Sequence, residues 1–97
     1  MKEFREEVDE NLPRSDLNKI LEEEAVKLGL FPDTISKDGV YQIRISKKTG
    51  ILKRMIHIAT INTYKESLKT IRGNYQENYG KDIEKYLENI HSRLNSL

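Results

Sequence analysis

The chain is expected to fold as a single small α+β domain in the order helix, β-hairpin, helix, helix, with the hairpin packed on the helices. Three observations carry that expectation. Tyr41, Ile43 and Ile45 alternate with Gln42, Arg44 and Ser46, the two-residue period of a strand with one buried face. Leu17, Ile20, Leu21, Ala25 and Leu28 trace one stripe at helical spacing, as do Ile83, Leu87, Ile90, Leu94 and Leu97. A lone two-stranded ribbon is marginal in water, so it has to lie on the helices.

Residues 1–14 form an acidic leading segment, and residues 15–97 are expected to make the domain. Phe4, Val8 and Leu12 are four apart, which suits a short helix that Pro13 ends; it is read as frayed or dependent on a partner. The first secure helix runs over about 16–28. Ser15 suits its N-cap, Asp16 the positive end of its dipole and Gly29 the left-handed C′ position, and Pro32 stops it resuming. Glu22, Glu23 and Glu24 lie off its apolar stripe and read as a solvated face.

Pro32-Asp33-Thr34 and Lys37-Asp38-Gly39 read as turns around a single Ile35. The hairpin follows. Lys47-Lys48-Thr49-Gly50 is its expected loop, which pairs Ser46 with Ile51. In that register Tyr41, Ile43, Ile45, Leu52, Ile56 and Ile58 share the buried face with Arg54 intruding, and Gln42, Arg44, Lys53, Met55 and His57 share the open one. From Asn62 the spacing of Tyr64, Leu68, Ile71, Tyr75 and Tyr79 reads as a helix over about 62–78. Gly80 suits a C′ cap and Asp82 an N-cap, so a last helix is expected over 82–96, with one continuous helix through Gly80 as the alternative.

Charge is segregated along the chain. Residues 1–38 carry eleven acidic against six basic side chains, residues 39–65 carry six basic and no acidic ones, and residues 66–97 balance. The net charge of +1 hides that division, which sets the sign of a partner surface. Leu, Ile, Val and Phe supply 26 of the 97 residues, enough for a folded but thin core. No cysteine is present, which excludes disulfides and thiolate metal sites and fits a reducing compartment; the expected location is the cytoplasm. Apolar runs fall far short of the ~20 residues that span a bilayer, so no membrane partner is expected.

No catalytic, cofactor or metal site is expected: the glycines are scattered, His57 and His91 lie in different elements, and no phosphate-loop or ligand spacing occurs. Two surfaces remain as binding candidates. Arg44, Lys47, Lys48, Lys53 and Arg54 would make a basic hairpin that meets an acidic partner or nucleic acid. Lysines at a hairpin tip are equally a guard against edge-to-edge aggregation. Ile83, Leu87, Ile90 and Leu94 would form an oligomer or partner interface, or else plain core. The function expected is that of a small non-catalytic interaction or regulatory protein, acting as a homodimer on another protein; the alternative is a nucleic-acid-binding regulator that uses the basic hairpin.

Overall fold

The charge-rich amino terminus is a strand, and this changes the architecture. The computed structural model describes residues 1–8, 12–37, 40–51, 53–64 and 70–96. Within them β1 (Lys2–Glu7) precedes α1 (Arg14–Lys27), and β2 (Phe31–Lys37), β3 (Val40–Thr49), β4 (Arg54–Tyr64) and β5 (Thr70–Tyr75) follow. A 3-10 turn at Glu77–Tyr79 leads into α2 (Gly80–Asn95). The strands form one antiparallel sheet in the order β1-β5-β4-β3-β2. The expected order of helix, hairpin, helix, helix is therefore corrected to strand, helix, four strands, helix.

Each difference has a physical cause. Positions four apart share a face in a strand as well as in a helix, so Phe4 with Val8, and Ile71 with Tyr75, fit either period. β1 is an edge strand, paired only with β5, and the charges of Lys2, Glu3, Arg5, Glu6 and Glu7 are what an exposed edge tolerates. β2 is the opposite edge, where Pro32 costs no ladder hydrogen bond on its outer side. The expected helix over 62–78 is instead the end of β4 and all of β5; Leu68, part of its stripe, lies outside the described residues. Gly80 is not the left-handed cap of a preceding α-helix: it closes the 3-10 turn and opens α2 in the ordinary right-handed conformation.

The hairpin of β3 and β4 is real, but its tip lies three residues further on. Thr49 pairs with Arg54, and the Lys53 N–H closes the turn on the Gly50 carbonyl at 3.2 Å. The register then slips once. Ile45 faces Ala59 while Ser46 faces His57, which leaves Ile58 as the extra residue of a bulge. The bulge changes the phase of β4. Ile56 and Ile58 before it and Ala59, Ile61 and Thr63 after it all turn towards the same covered face, on which Ile58, Ala59 and Ile61 are fully buried.

Both helices cover that face. Leu17, Leu21 and Ala25 of α1 and Ile83, Tyr86 and Ile90 of α2 meet Ile43, Ile45, Ile58, Ile61 and Ile71 of the sheet in one core. Helix α1 ends as its sequence implies. Gly29 takes φ +74°, the Leu30 N–H reaches back to the Ala25 carbonyl at 3.0 Å and the Gly29 N–H to Val26 at 3.0 Å. Among the described residues no helix is long and apolar enough to cross a membrane.

The helical layer spends its own acids. Arg93 of α2 pairs with Glu23 at 2.8 Å and with the buried Glu24 at 3.5 Å, and Lys27 holds Glu24 at 3.0 Å. The guanidinium bonded to Glu23 holds that carboxyl below its usual value and is itself held more firmly protonated. Glu22 accepts a 2.6 Å hydrogen bond from Thr34 of β2. The triplet read as a solvated face thus ties α1 to α2 and to the sheet.

Candidate functional site

With both helices on one side, the other face of the sheet carries no second layer among the described residues. Alternation along each strand decides what it displays. Phe4 and the Gly73 position point to the helices, where the Phe4 ring lies over Gly73 and 6.4 Å from the Tyr75 ring. Arg5, Arg72 and Asn74 therefore point outward. So do Gln42, Arg44, Ser46 and Lys48 of β3, His57, Thr60 and Asn62 of β4, and Phe31, Asp33 and Ile35 of β2.

The middle of this face has no acid. Among the described side chains of β3, β4 and β5 its outward residues are amides, hydroxyls, His57, Met55 and three cations, Arg44, Lys48 and Arg72. Glu3, Glu7 and Asp33 stand only on the edge strands β1 and β2. The acid-free stretch of the sequence is thus the two strands β3 and β4, and β5 extends its basic outer surface.

The register lines up one row across the sheet: Arg5, Arg72, Asn62, Gln42. Its hydrogen bonds have a direction. Arg44 can only donate, and its Nε lies 3.2 Å from Gln42 Oε1. Gln42 then donates through Nε2 to Asn62 Oδ1 at 3.0 Å. This orients Asn62 with its oxygen already engaged and its N–H2, which has no acceptor among the described residues, turned to donate towards β5. A depression of about 520 Å³ lies there, lined by Arg5, Arg72, Asn62, Glu3, Asn74 and the Phe4–Gly73 pair.

The residues expected to form a basic hairpin site are dispersed. Arg44 is exposed on the open face and hydrogen-bonded to Gln42. Lys48 is on the same face, with its ammonium 5.3 Å from the Phe31 ring centre. Lys47 faces the helices, where it pairs with Asp82 at 2.7 Å and stands 5.8 Å from the Tyr79 ring centre. Lys53 sits in the turn at φ +49°, and Arg54 starts β4 exposed beyond the core. Of the expected interface stripe, Ile83 and Ile90 are fully buried, while Leu87 and Leu94 are half-buried against the core. Arg5, Arg72 and Asn74 were not reached from sequence, because they come from segments read as helical.

The face holds no catalytic arrangement among the described residues. Thr60 Oγ1 lies 2.7 Å from His57 Nε2, but no carboxylate orients the other ring nitrogen. His91, on α2, contacts Glu6 of β1 through Nδ1 at 2.5 Å and Asn95 at 3.0 Å, with no nucleophile beside it. No group of three or more His, Asp and Glu side chains is placed to hold a metal ion among the described residues. No family model matches the chain, and neither a curated protein nor a solved structure does so.

Proposed function

We propose that the chain is a small, non-catalytic interaction protein that docks an acidic segment of another protein on the open face of its sheet. The observation that carries this is the acid-free centre of that face, with Arg44, Lys48 and Arg72 among hydrogen-bonding amides. Apolar contact is available beside it: Phe31 is 41% and Met55 49% exposed, at the corner where Lys48 lies. Arginine with exposed Phe and Met is the composition of protein interfaces, from which lysine is depleted.

Charge also argues against this face as a self-complementary dimer contact. Two copies stacked with their middle strands overlapping would set Arg44, Lys48 and Arg72 against one another. The partner is then a different chain. A cytoplasmic setting is part of the proposal, supported by a sequence with no cysteine to oxidise.

Nucleic acid is the second reading, favoured by the same cations, and disfavoured by the acids at both edges and, among the described side chains, by the lack of a stacking Phe, Tyr or Trp at the centre. The two separate by titration. A fluorescein-labelled Asp/Glu-rich nonapeptide should bind in the micromolar-to-millimolar range. It should shift the amide resonances of Gln42, Arg44, Asn62 and Arg72, and Arg44→Glu should abolish the effect. A labelled duplex or single strand that binds more tightly, with steep salt dependence, would assign the face to nucleic acid. Perturbation confined to the helices would refute the face itself.

A further inference from the structure

Arg5 and Arg72 stand directly opposite each other on β1 and β5, both exposed and both on the open face. Opposed residues in an antiparallel pair hold their Cβ atoms about 5 Å apart, where like charges destabilise the pairing. Among the described residues neither guanidinium has an ion-pair partner; the pairs there use Lys19, Lys27, Lys47, His91 and Arg93. Among the described residues no ion pair offsets this juxtaposition. A ligand that brings two negative charges would.

Two further features converge on the same spot. The depression of about 520 Å³ lies between these strands and β4. Its third donor is prepared, because the chain from Arg44 through Gln42 occupies Asn62 Oδ1 and leaves the Asn62 amide to donate. Two guanidinium forks and one amide are thus set around one small open volume, in a row fixed by strand register. Arginine forks match tetrahedral oxyanions bidentately.

We propose that this depression is a subsite for a phosphate monoester, carried as a phosphorylated serine or threonine by the acidic partner segment; the proposal rests on the docking reading of the face. A dianion neutralises both arginines, whereas a single carboxylate neutralises one. Glu3 and Asn74, opposite each other one row further along, supply acceptors for the backbone N–H groups of the peptide that carries the phosphate.

The test uses two labelled nonapeptides, acidic and identical except for serine or phosphoserine at the centre, titrated by anisotropy against the full chain at fixed ionic strength. The phosphopeptide is expected to bind at least tenfold more tightly. Arg5→Ala and Arg72→Ala should each bring the two affinities within about twofold, and Arg72→Lys should restore part of the difference. Lys48→Ala should weaken both peptides and keep their ratio. Since each alanine relieves a repulsion, its melting temperature should equal or exceed that of the wild type, which separates lost binding from lost folding. Equal affinity for the two peptides overturns the subsite and leaves the docking face standing. Binding of neither overturns both, and tighter binding of a labelled oligonucleotide than of the phosphopeptide assigns the arginines to phosphodiesters and overturns the proposal.

Discussion

Gly73→Ala should unfold this protein far more readily, although elsewhere in a strand the same change stabilises. Replacing glycine with alanine in a strand gains roughly 0.5–1 kcal/mol from reduced backbone freedom in the unfolded chain. At position 73 the added methyl would fall well inside contact distance of the Thr60 carbonyl oxygen, and 2.5 and 2.6 Å from Cζ and Cε1 of Phe4. A carbonyl in a paired strand cannot move without breaking its ladder. Phe4 can move only by leaving the core it packs against. Overpacking costs about 1–3 kcal/mol and partial exposure of a phenyl ring about 1–2 kcal/mol more. Against the propensity gain, the net loss is about 3 kcal/mol, a large share of the ~5–15 kcal/mol that holds a domain of this size. At ~4–8 °C per kcal/mol the melting temperature should fall by roughly 12–24 °C. Urea melts followed by far-ultraviolet circular dichroism measure this directly, and hydrogen exchange should show the β1 amides losing protection first. A neutral or stabilising result would mean that no aromatic ring covers Gly73, and that β1 does not lie beside β5.

Two other expectations follow from single side chains. Tyr86 is fully buried, donates to the Leu21 carbonyl at 2.8 Å, and is pushed to a higher pKa by desolvation, with Glu24 and Glu22 adding repulsion. Its contribution is fully present below the unfolded value near 10 and is lost as pH rises above it, at up to about 1.4 kcal/mol per unit. Tyr86→Phe should cost about 1 kcal/mol at neutral pH and flatten the alkaline decline seen in the wild type; identical slopes from pH 10 to 12 would refute the burial. Lys53 occupies the left-handed region, so Lys53→Gly should raise stability by about 0.5–1 kcal/mol in the same urea assay, whereas a loss would locate a contact of the lysine side chain.

How much of this was legible depended on whether a local pattern had one solution. Helix α1 was legible because stripe, Asp16 and Gly29 all agree, and Gly29 does adopt the Schellman geometry. α2 was legible from Ile83, Leu87 and Ile90, although its start was placed two residues late. β3 was legible because Tyr41, Ile43 and Ile45 alternate cleanly. β1 was not, since an edge strand with charges at five of six positions shows no period-2 hydrophobicity. β5 was hidden by spacings of four that helices and strands share, yet Gly73 inside the supposed helix, beside the β-branched Thr70 and Ile71, was a usable warning. The bulge at Ile58 could not be read at all. It reverses the phase of β4 halfway along, and a single-register pairing cannot express that. The site was illegible for a further reason. Arg5 and Arg72 meet only through the β1–β5 pairing, which joins the two ends of the sheet's path.

The segregated charge acquires a different meaning once each group's partner is known. Glu22, Glu23 and Glu24, the acidic core of the first third, are spent on Thr34, Arg93 and Lys27, and Asp82 is spent on Lys47. The helical layer is thereby close to self-compensated. The sheet's outer cations differ: Arg44 meets the Gln42 amide and Lys48 the Phe31 ring, and among the described residues none of Arg5, Arg44, Lys48 and Arg72 has an ion-pair partner. The two layers should therefore respond oppositely to the same perturbation. Reversing Arg93 leaves the buried Glu24 short of a partner and lowers stability, while reversing Arg44 or Arg72 leaves folding intact and removes the attraction for an anion. Net charge cannot distinguish these cases. Only the assignment of each charge to a partner, or to none, separates the residues that hold the fold from those left over to meet another molecule.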